Sequence, residues 1–371
     1  MKKITFTIAC IILITAISGL CHARVTGECS NCHTMHNSQG GTDIGVQTGY
    51  ASTSGAKASL LRANGCLGCH ATTGSGWTGV GGAPIVYNTT GVTYGDSQPD
   101  GYKVGLAGGN FYYLSAGGST GTPPGTLPIT SQSRGHSLSG IPYVDDTTTP
   151  EWNRGSCTLG CHQDGLKTQG CKACHVPAHH KGASSGGWAD AGAGYYRFLG
   201  PIPEPLGSDQ HEWGVRGYED PDWQAETSSS NHNEYSGEAP TTGYHSISRH
   251  CIGCHDGGSY PDECPVFEAA TEVWHTATMV LPTTYTKWDG YRGYAGVPPS
   301  PYSPLLPIAR KNITSYTSPS AAVTHGGNDT LMCLTCHRAH ASPYNKMLRW
   351  DNSLAWGELP SESCKGCHKP Y

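Results

Sequence analysis

The chain has 371 residues, with 51 Gly, 25 Pro, 17 Cys, 19 His and a formal net charge of −5. Gly stands at roughly twice its usual ~7% share, and charged residues at 14% fall well below the usual ~25%, so long amphipathic helices and a large parallel sheet are not expected. The lack of a basic excess argues against a nucleic-acid partner, the absence of a Gly period excludes collagen, and 20 Tyr with 9 Trp argue against plain disorder. The apolar fraction of 36% is short for one or two ordinary cores, so something besides aliphatic side chains is expected to organise the chain.

At the amino terminus, Lys2 and Lys3 precede an apolar run from Ile4 to Ile17, and small and polar residues lead to Ala23. This is the pattern of a secretory signal over 1–23, and the run is shorter than the ~18 residues of a membrane span. No later run reaches that length, so the reading is an exported chain with no membrane span once the signal is removed. Residues 24–371 read as a single unit, because no stretch between Cys motifs leaves room for a separate core.

Cys10 and Cys21 fall inside the signal. Of the remaining cysteines, twelve form six Cys-x-x-Cys-His motifs: Cys29/Cys32/His33, Cys66/Cys69/His70, Cys171/Cys174/His175, Cys251/Cys254/His255, Cys333/Cys336/His337 and Cys364/Cys367/His368. A seventh, Cys157/Cys161/His162, has one more residue between its cysteines, and Cys264 is left over. Random placement predicts about 0.04 matches in the chain, against six observed. The motif is that of covalent c-type haem. Two thiols about a helical turn apart add to the vinyl groups of one porphyrin edge, and the following imidazole binds the iron. Zinc sites and disulfide frameworks do not require a His after every second Cys. The expectation is seven haem c groups, with a disulfide beside a surface His as the alternative at Cys157/Cys161.

Short helices are expected at the motifs and near Ser353 to Trp356. The Gly/Ser/Thr/Pro stretches between them, such as Thr72 to Thr130 and Tyr285 to Pro307, lack helical or alternating periodicity and read as loops. The expected fold is mostly coil with short helices and little sheet, wrapped around a continuous haem chain that stands in for the core.

Seven motif histidines supply proximal iron ligands, and eleven further histidines follow the signal, more than seven irons need on their second face. Mature Met residues number four, so Met ligation is the minority option. An iron saturated by two imidazoles changes oxidation state without binding substrate. The His surplus therefore argues for electron transfer rather than catalysis, and the chain is read as no enzyme. His36, His136, His179, His245, His275, His325 and His340 are the favoured distal ligands. His180 competes with His179, and His250 with His245; His211 and His232 are expected as solvated loop residues. His36 follows His33 by three residues, His340 follows His337 by three, and His179 follows His175 by four. In a short helix such pairs share one face. A His on its neighbour's face cannot close the same haem, so each should serve another iron.

The stretch ECSNCHTMHNSQGG over 28–41 resembles the amino terminus of the OmcS-type extracellular multihaem c-type cytochromes, the filament-forming cytochrome nanowire family. The resemblance continues at CLGCH over 66–70, at Gly135-His136 followed by YVDDT over 143–147, at CLTCHRAHAS over 333–342 and at CKGCH over 364–368. It implies bis-His haems in a continuous chain and subunits joined head to tail, with electrons passing to redox proteins or extracellular metal oxides. It also implies that His36 ligates the haem on Cys333/Cys336 of the neighbouring subunit, and such a heterologous contact generates a filament. The six-haem members of that family lack a site matching Cys157 to His162. A monomeric periplasmic or surface carrier, and a multihaem oxidoreductase, are the alternative readings.

Overall fold

The computed structural model describes residues 28, 32–33, 38–39, 42–43, 66–72, 79, 82–88, 106–114, 135–136, 138, 170–180, 187–189, 195–201, 214–220, 229–237, 244–255, 300–310, 318–323, 329–342, 344, 347–351, 354–359 and 363–364. Cys29, His36, Cys157, Cys161, His162, Cys264, His275, His325, Cys367 and His368 lie outside them, as do the side chains of His245, Cys254 and His255.

Regular structure is sparse, and helix gathers at the Cys motifs. α1 (Leu67–His70) carries the second motif, α2 (Ile247–His255) the fifth and α3 (Cys333–Cys336) the sixth, while a 3-10 turn at Gly170–Ala173 carries the fourth. At α1 the Cys69 and His70 amides both donate to the Cys66 carbonyl, at 3.1 and 3.0 Å. Winding both thiols and the imidazole onto one turn is what covalent attachment to a single porphyrin edge requires. α3 is fixed by Thr335, whose Oγ1 accepts the Met332 amide at 3.1 Å and donates to the Pro307 carbonyl at 2.6 Å. The Cys333 amide donates to Ser248 Oγ at 3.2 Å, which docks α3 on α2. Of the helix expected near Ser353 to Trp356, Ser353 lies outside the described residues; residues 354–359 form a hydrogen-bonded turn in which the Glu358 and Leu359 amides reach the Ala355 carbonyl.

Strands are two or three residues long. β1 (Ser38–Gln39) pairs β2 (Thr42–Asp43), and β3 (Ala71–Thr72) pairs β4 (Tyr87–Asn88) in parallel, with Ala71 beside Tyr87. The largest sheet among the described residues has five strands of two or three residues each, in keeping with the little sheet expected. It comprises β5 (Gly187–Ala189), β7 (Gly217–Glu219), β8 (Glu234–Ser236), β11 (Ala309–Arg310) and β13 (Asp329–Thr330), in the order β13-β11-β8-β7-β5. Its only parallel pair is β8 with β11, registering Tyr235 opposite Ala309. β6 (Gly214–Val215) pairs in parallel with β9 (Tyr244–His245), and β10 (Ser300–Pro301) antiparallel with β12 (Ala322–Val323).

The protein also has apolar cores of its own, which the sequence reading assigned to the haems. One gathers Leu67, Tyr87, Phe111, Tyr113 and Leu138 beside α1. A second gathers Tyr302, Ile308, Val323, Leu331 and Trp350. A third joins Tyr196, Val215, Tyr235, Ile247 and Met332 between the five-stranded sheet and the two docked helices. Aromatic rings supply much of each, and a buried ring removes 150–250 Å² from water, roughly. The scarce aliphatic side chains are thereby compensated.

Among the described residues no helix is long and apolar enough to cross a membrane.

Candidate functional site: facing histidines of the haem motifs

Three motif histidines face a second imidazole. The His33 and His180 ring centroids are 6.0 Å apart, those of His70 and His179 are 6.2 Å apart, and those of His175 and His340 are 6.2 Å apart. The interplanar angles are 25°, 36° and 51°. Imidazole–metal bonds of about 2.0 Å, with a ring centroid about 1.1 Å behind each nitrogen, put two imidazoles across one metal about 6.2 Å apart. The residues present therefore fit an iron between each pair.

Hydrogen bonding at the opposite edge of the rings agrees. His70 Nδ1 donates to the Pro84 carbonyl at 2.7 Å, His175 Nδ1 to the Arg197 carbonyl at 2.9 Å, and His136 Nδ1 to the Ala339 carbonyl at 2.9 Å. A carbonyl only accepts, so each ring carries its proton on Nδ1 and keeps its Nε2 lone pair for a metal. Burial lowers the affinity of His70 and His175 for a proton. His340 is held down at about 3, by burial first and then by the neighbouring His175 and His136. These imidazoles are neutral at neutral pH, the form that ligates.

Local structure aims each ring. The parallel β3–β4 pair places Pro84 across from α1, and the Val86 amide closes on the His70 carbonyl at 2.9 Å. Asn110 clamps β4, its side chain accepting the Asn88 amide at 3.0 Å and donating to the Asn88 carbonyl at 2.9 Å. The His340 amide donates to the Gly108 carbonyl at 2.8 Å, and the His340 carbonyl accepts the His136 amide at 3.1 Å. Phe111 stacks on the His340 ring at 4.8 Å, and Phe198 lies 4.9 Å from His179.

The second and fourth motifs lie side by side. The Cys66 and Cys171 thiols are hydrogen-bonded; that bond, with help from Lys172, draws Cys66 down to about 6, while it and burial raise Cys171. None of Cys32, Cys66, Cys69, Cys171, Cys174, Cys251, Cys333, Cys336 and Cys364 is in a disulfide.

Two expectations about histidines need correction. His179 and His180 do not compete for one position, since their rings face two different motif histidines. His232 is not a solvated loop residue: it is 2% exposed, stacked on Tyr302 at 3.7 Å and 9°, with Nε2 3.6 Å from Glu234 Oε1. Sequence reasoning also missed the charged cluster beneath it. Arg310 Nε meets Glu234 Oε1 at 3.2 Å and Nη1 meets Asp329 Oδ2 at 2.6 Å, all three side chains fully buried. The Ser320 amide and carbonyl complete the set, to Glu234 Oε1 at 2.6 Å and from Arg310 Nη2 at 3.0 Å. The alternation of buried and charged positions in strands this short leaves no pattern that would have flagged it.

With the fold and the histidines in view, the class is defined: a mostly coil chain with helix at its Cys-x-x-Cys-His motifs, the fold of a multihaem c-type cytochrome. The family described as doubled CXXCH motif matches residues 325–371, which hold the last two motifs. The OmcS nanowires of Geobacter sulfurreducens, solved by cryo-EM, share the fold with a TM-score of 0.50 at 19% identity, over 90% of this chain and 86% of that one. The outer membrane cytochrome S filament of the same organism aligns over the same shares at 18% identity and a TM-score of 0.44. No curated protein matches.

Proposed function

We propose that the protein is an exported c-type cytochrome carrying seven haems, that it conducts electrons, and that it polymerises head to tail into an extracellular filament. The observation that carries this reading is the repeated spacing of 6.0–6.2 Å between a motif imidazole and a second imidazole. Haem supplies the one-electron couple when bound. The chain's own part is to attach, ligate, orient and insulate. Cys29/Cys32, Cys66/Cys69, Cys157/Cys161, Cys171/Cys174, Cys251/Cys254, Cys333/Cys336 and Cys364/Cys367 hold the groups, with His33, His70, His162, His175, His255, His337 and His368 as proximal ligands. His180, His179 and His340 are the distal partners of His33, His70 and His175. His36 serves the haem on Cys333/Cys336 of the next subunit, and the remaining three irons draw their distal ligands from His136, His245, His275 and His325. Two imidazoles on each iron leave no position for a substrate, so the protein relays electrons and performs no bond-making step. Its partners are further copies of itself, redox proteins, and extracellular metal oxides at the cell surface. The pairing of the OmcS fold with closely packed imidazole pairs supports the filament reading.

Cryo-electron microscopy of the secreted material, with a haem-to-protein mass ratio, tests the proposal. Filaments with seven haems per chain and an all-low-spin ferric spectrum are expected. Single particles at full haem occupancy would overturn the polymer. A His36→Ala chain that still polymerises would overturn the role of His36. Six haems would remove the Cys157/Cys161 site, and a high-spin iron that binds cyanide would favour an oxidoreductase.

A further inference from the structure

The segment Tyr195–Phe198 holds an uncommon backbone. Tyr195, Arg197 and Phe198 have φ of 62°, 47° and 62°, and none is a Gly, Asn or Asp that adopts this region readily. Such a conformation persists only where its surroundings over-determine it, and here they do. The Arg197 amide donates to Glu219 Oε1 at 2.6 Å. Its guanidinium donates through Nη2 to the Asp220 carbonyl at 3.1 Å and to Asn233 Oδ1 at 2.9 Å, and that same Oδ1 takes the Asp220 amide at 3.0 Å. The Tyr195 and Tyr196 rings fill the space beside two side-chain-free positions. A Cβ on Gly214 would run into the Tyr195 ring, and one on Gly217 would lie 2.6 Å from Tyr196 and 2.8 Å from the Glu234 carbonyl. The outcome is that two consecutive carbonyls face the fourth motif. Arg197 O accepts His175 Nδ1–H at 2.9 Å and Phe198 O accepts the Val176 amide at 2.7 Å.

We propose that Glu219, by clamping the Tyr195–Phe198 strap, is a positioning residue for the His175 imidazole and so sets the reduction potential of the haem on Cys171/Cys174. The proposal rests on the reading of that motif as a haem site. An imidazole whose Nδ1–H is held on a carbonyl is more electron-rich at Nε2 and favours ferric iron. Without the clamp, Arg197 relaxes out of the left-handed region and carries its carbonyl off His175. The haem then becomes easier to reduce. Glu219 acts on His175 through the Arg197 backbone, whose amide it accepts and whose carbonyl holds His175 Nδ1–H.

Two variants separate position from charge. Glu219→Ala removes the acceptor and the carboxylate. Glu219→Gln removes the charge and keeps an amide oxygen for the Arg197 N–H. In the intact, fully haemylated protein, spectroelectrochemical titration should show a rise of about tenfold in the ferrous-to-ferric ratio of one haem, at fixed potential, for Glu219→Ala. Glu219→Gln should match wild type, and one component of the low-spin ferric EPR envelope should move in the first variant and return in the second. Unchanged midpoints in Glu219→Ala overturn the proposal, and so does an equal rise in both variants, which would assign the effect to buried charge. If Glu219→Ala is secreted short of haem, Asn233→Ala, which loosens the guanidinium end of the same clamp, carries the comparison. A smaller rise in the same haem is expected from it, and no rise overturns the proposal. Mass spectrometry of the peptide with Cys171 and Cys174 distinguishes the underlying reading: wild type without haem there removes the site itself.

Discussion

Around the five-stranded sheet, buried charge is answered by buried charge. Arg310 meets Glu234 and Asp329, and the β8–β11 pairing, the Tyr302 ring and the Ser320 backbone enclose them. Around His70, His175 and His340 the imidazoles are half-buried, and each is held at Nδ1 or through its backbone by a carbonyl on another segment. In the first region the charged side chains bond one another and the Ser320 backbone. In the second, His70 and His175 each face another imidazole at 6.2 Å. The difference teaches that one part of this chain is organised by paired charge and the other by facing imidazoles, the part to which the proposed function assigns covalent haem.

The sharpest way to break that comparison is to remove two haem sites. In a chain with Cys66, Cys69, Cys171 and Cys174 all changed to Ser, the Val86 and His340 amides should lose their hydrogen-exchange protection almost entirely, about 100-fold or more. The Gly237 amide, bonded to the Arg310 carbonyl at 2.8 Å, should keep most of its own. Joint loss in both regions would erase the distinction. Next in size is Arg310→Met, which leaves two buried carboxylates facing each other and should cost about 3–5 kcal/mol, read as a lower Tm with haem content unchanged. His340→Ala should cost about 2 kcal/mol of local packing and convert one haem to a high-spin ferric signal. An all-low-spin spectrum would move the distal role elsewhere. Smallest is His232→Phe, which keeps the stack on Tyr302: a change of about 1 kcal/mol and no change of spin state are expected. A new high-spin signal there would make His232 a ligand.

The Cys-x-x-Cys-His motifs were legible in the sequence because their spacing is local. Such a motif places two thiols and an imidazole within five or six consecutive residues, so spacing alone flags it. The partner imidazoles were not legible in the same way, because they come from distant segments: His70 and His179 meet across more than a hundred residues. The offset argument reached part of the answer on a premise the structure alters. His175 and His179 do not share a helical face. Pro177 lacks an amide hydrogen and restricts Val176 to extended backbone, so the 3-10 turn ends at Ala173 and His179 leaves its neighbour's side. At the sixth motif α3 stops at Cys336, and the bridge from His337 to Leu348 draws the chain away before His340. In both cases the second His faces a ring other than its neighbour's. The cores were understated because composition averages over the chain, whereas a few aliphatic side chains joined by Tyr, Phe or Trp rings close each one.

The adjacency of His179 and His180 is also a length standard. Neighbouring Cα atoms are about 3.8 Å apart, and a His side chain with its metal bond reaches about 6.5 Å, so two irons ligated by consecutive residues stand at most about 17 Å apart. Under the proposed ligation, one peptide bond thus imposes a ceiling on a hop between haems held at His33 and His70. In a chain so rich in glycine, the longest permitted step between those two sites is written into covalent geometry.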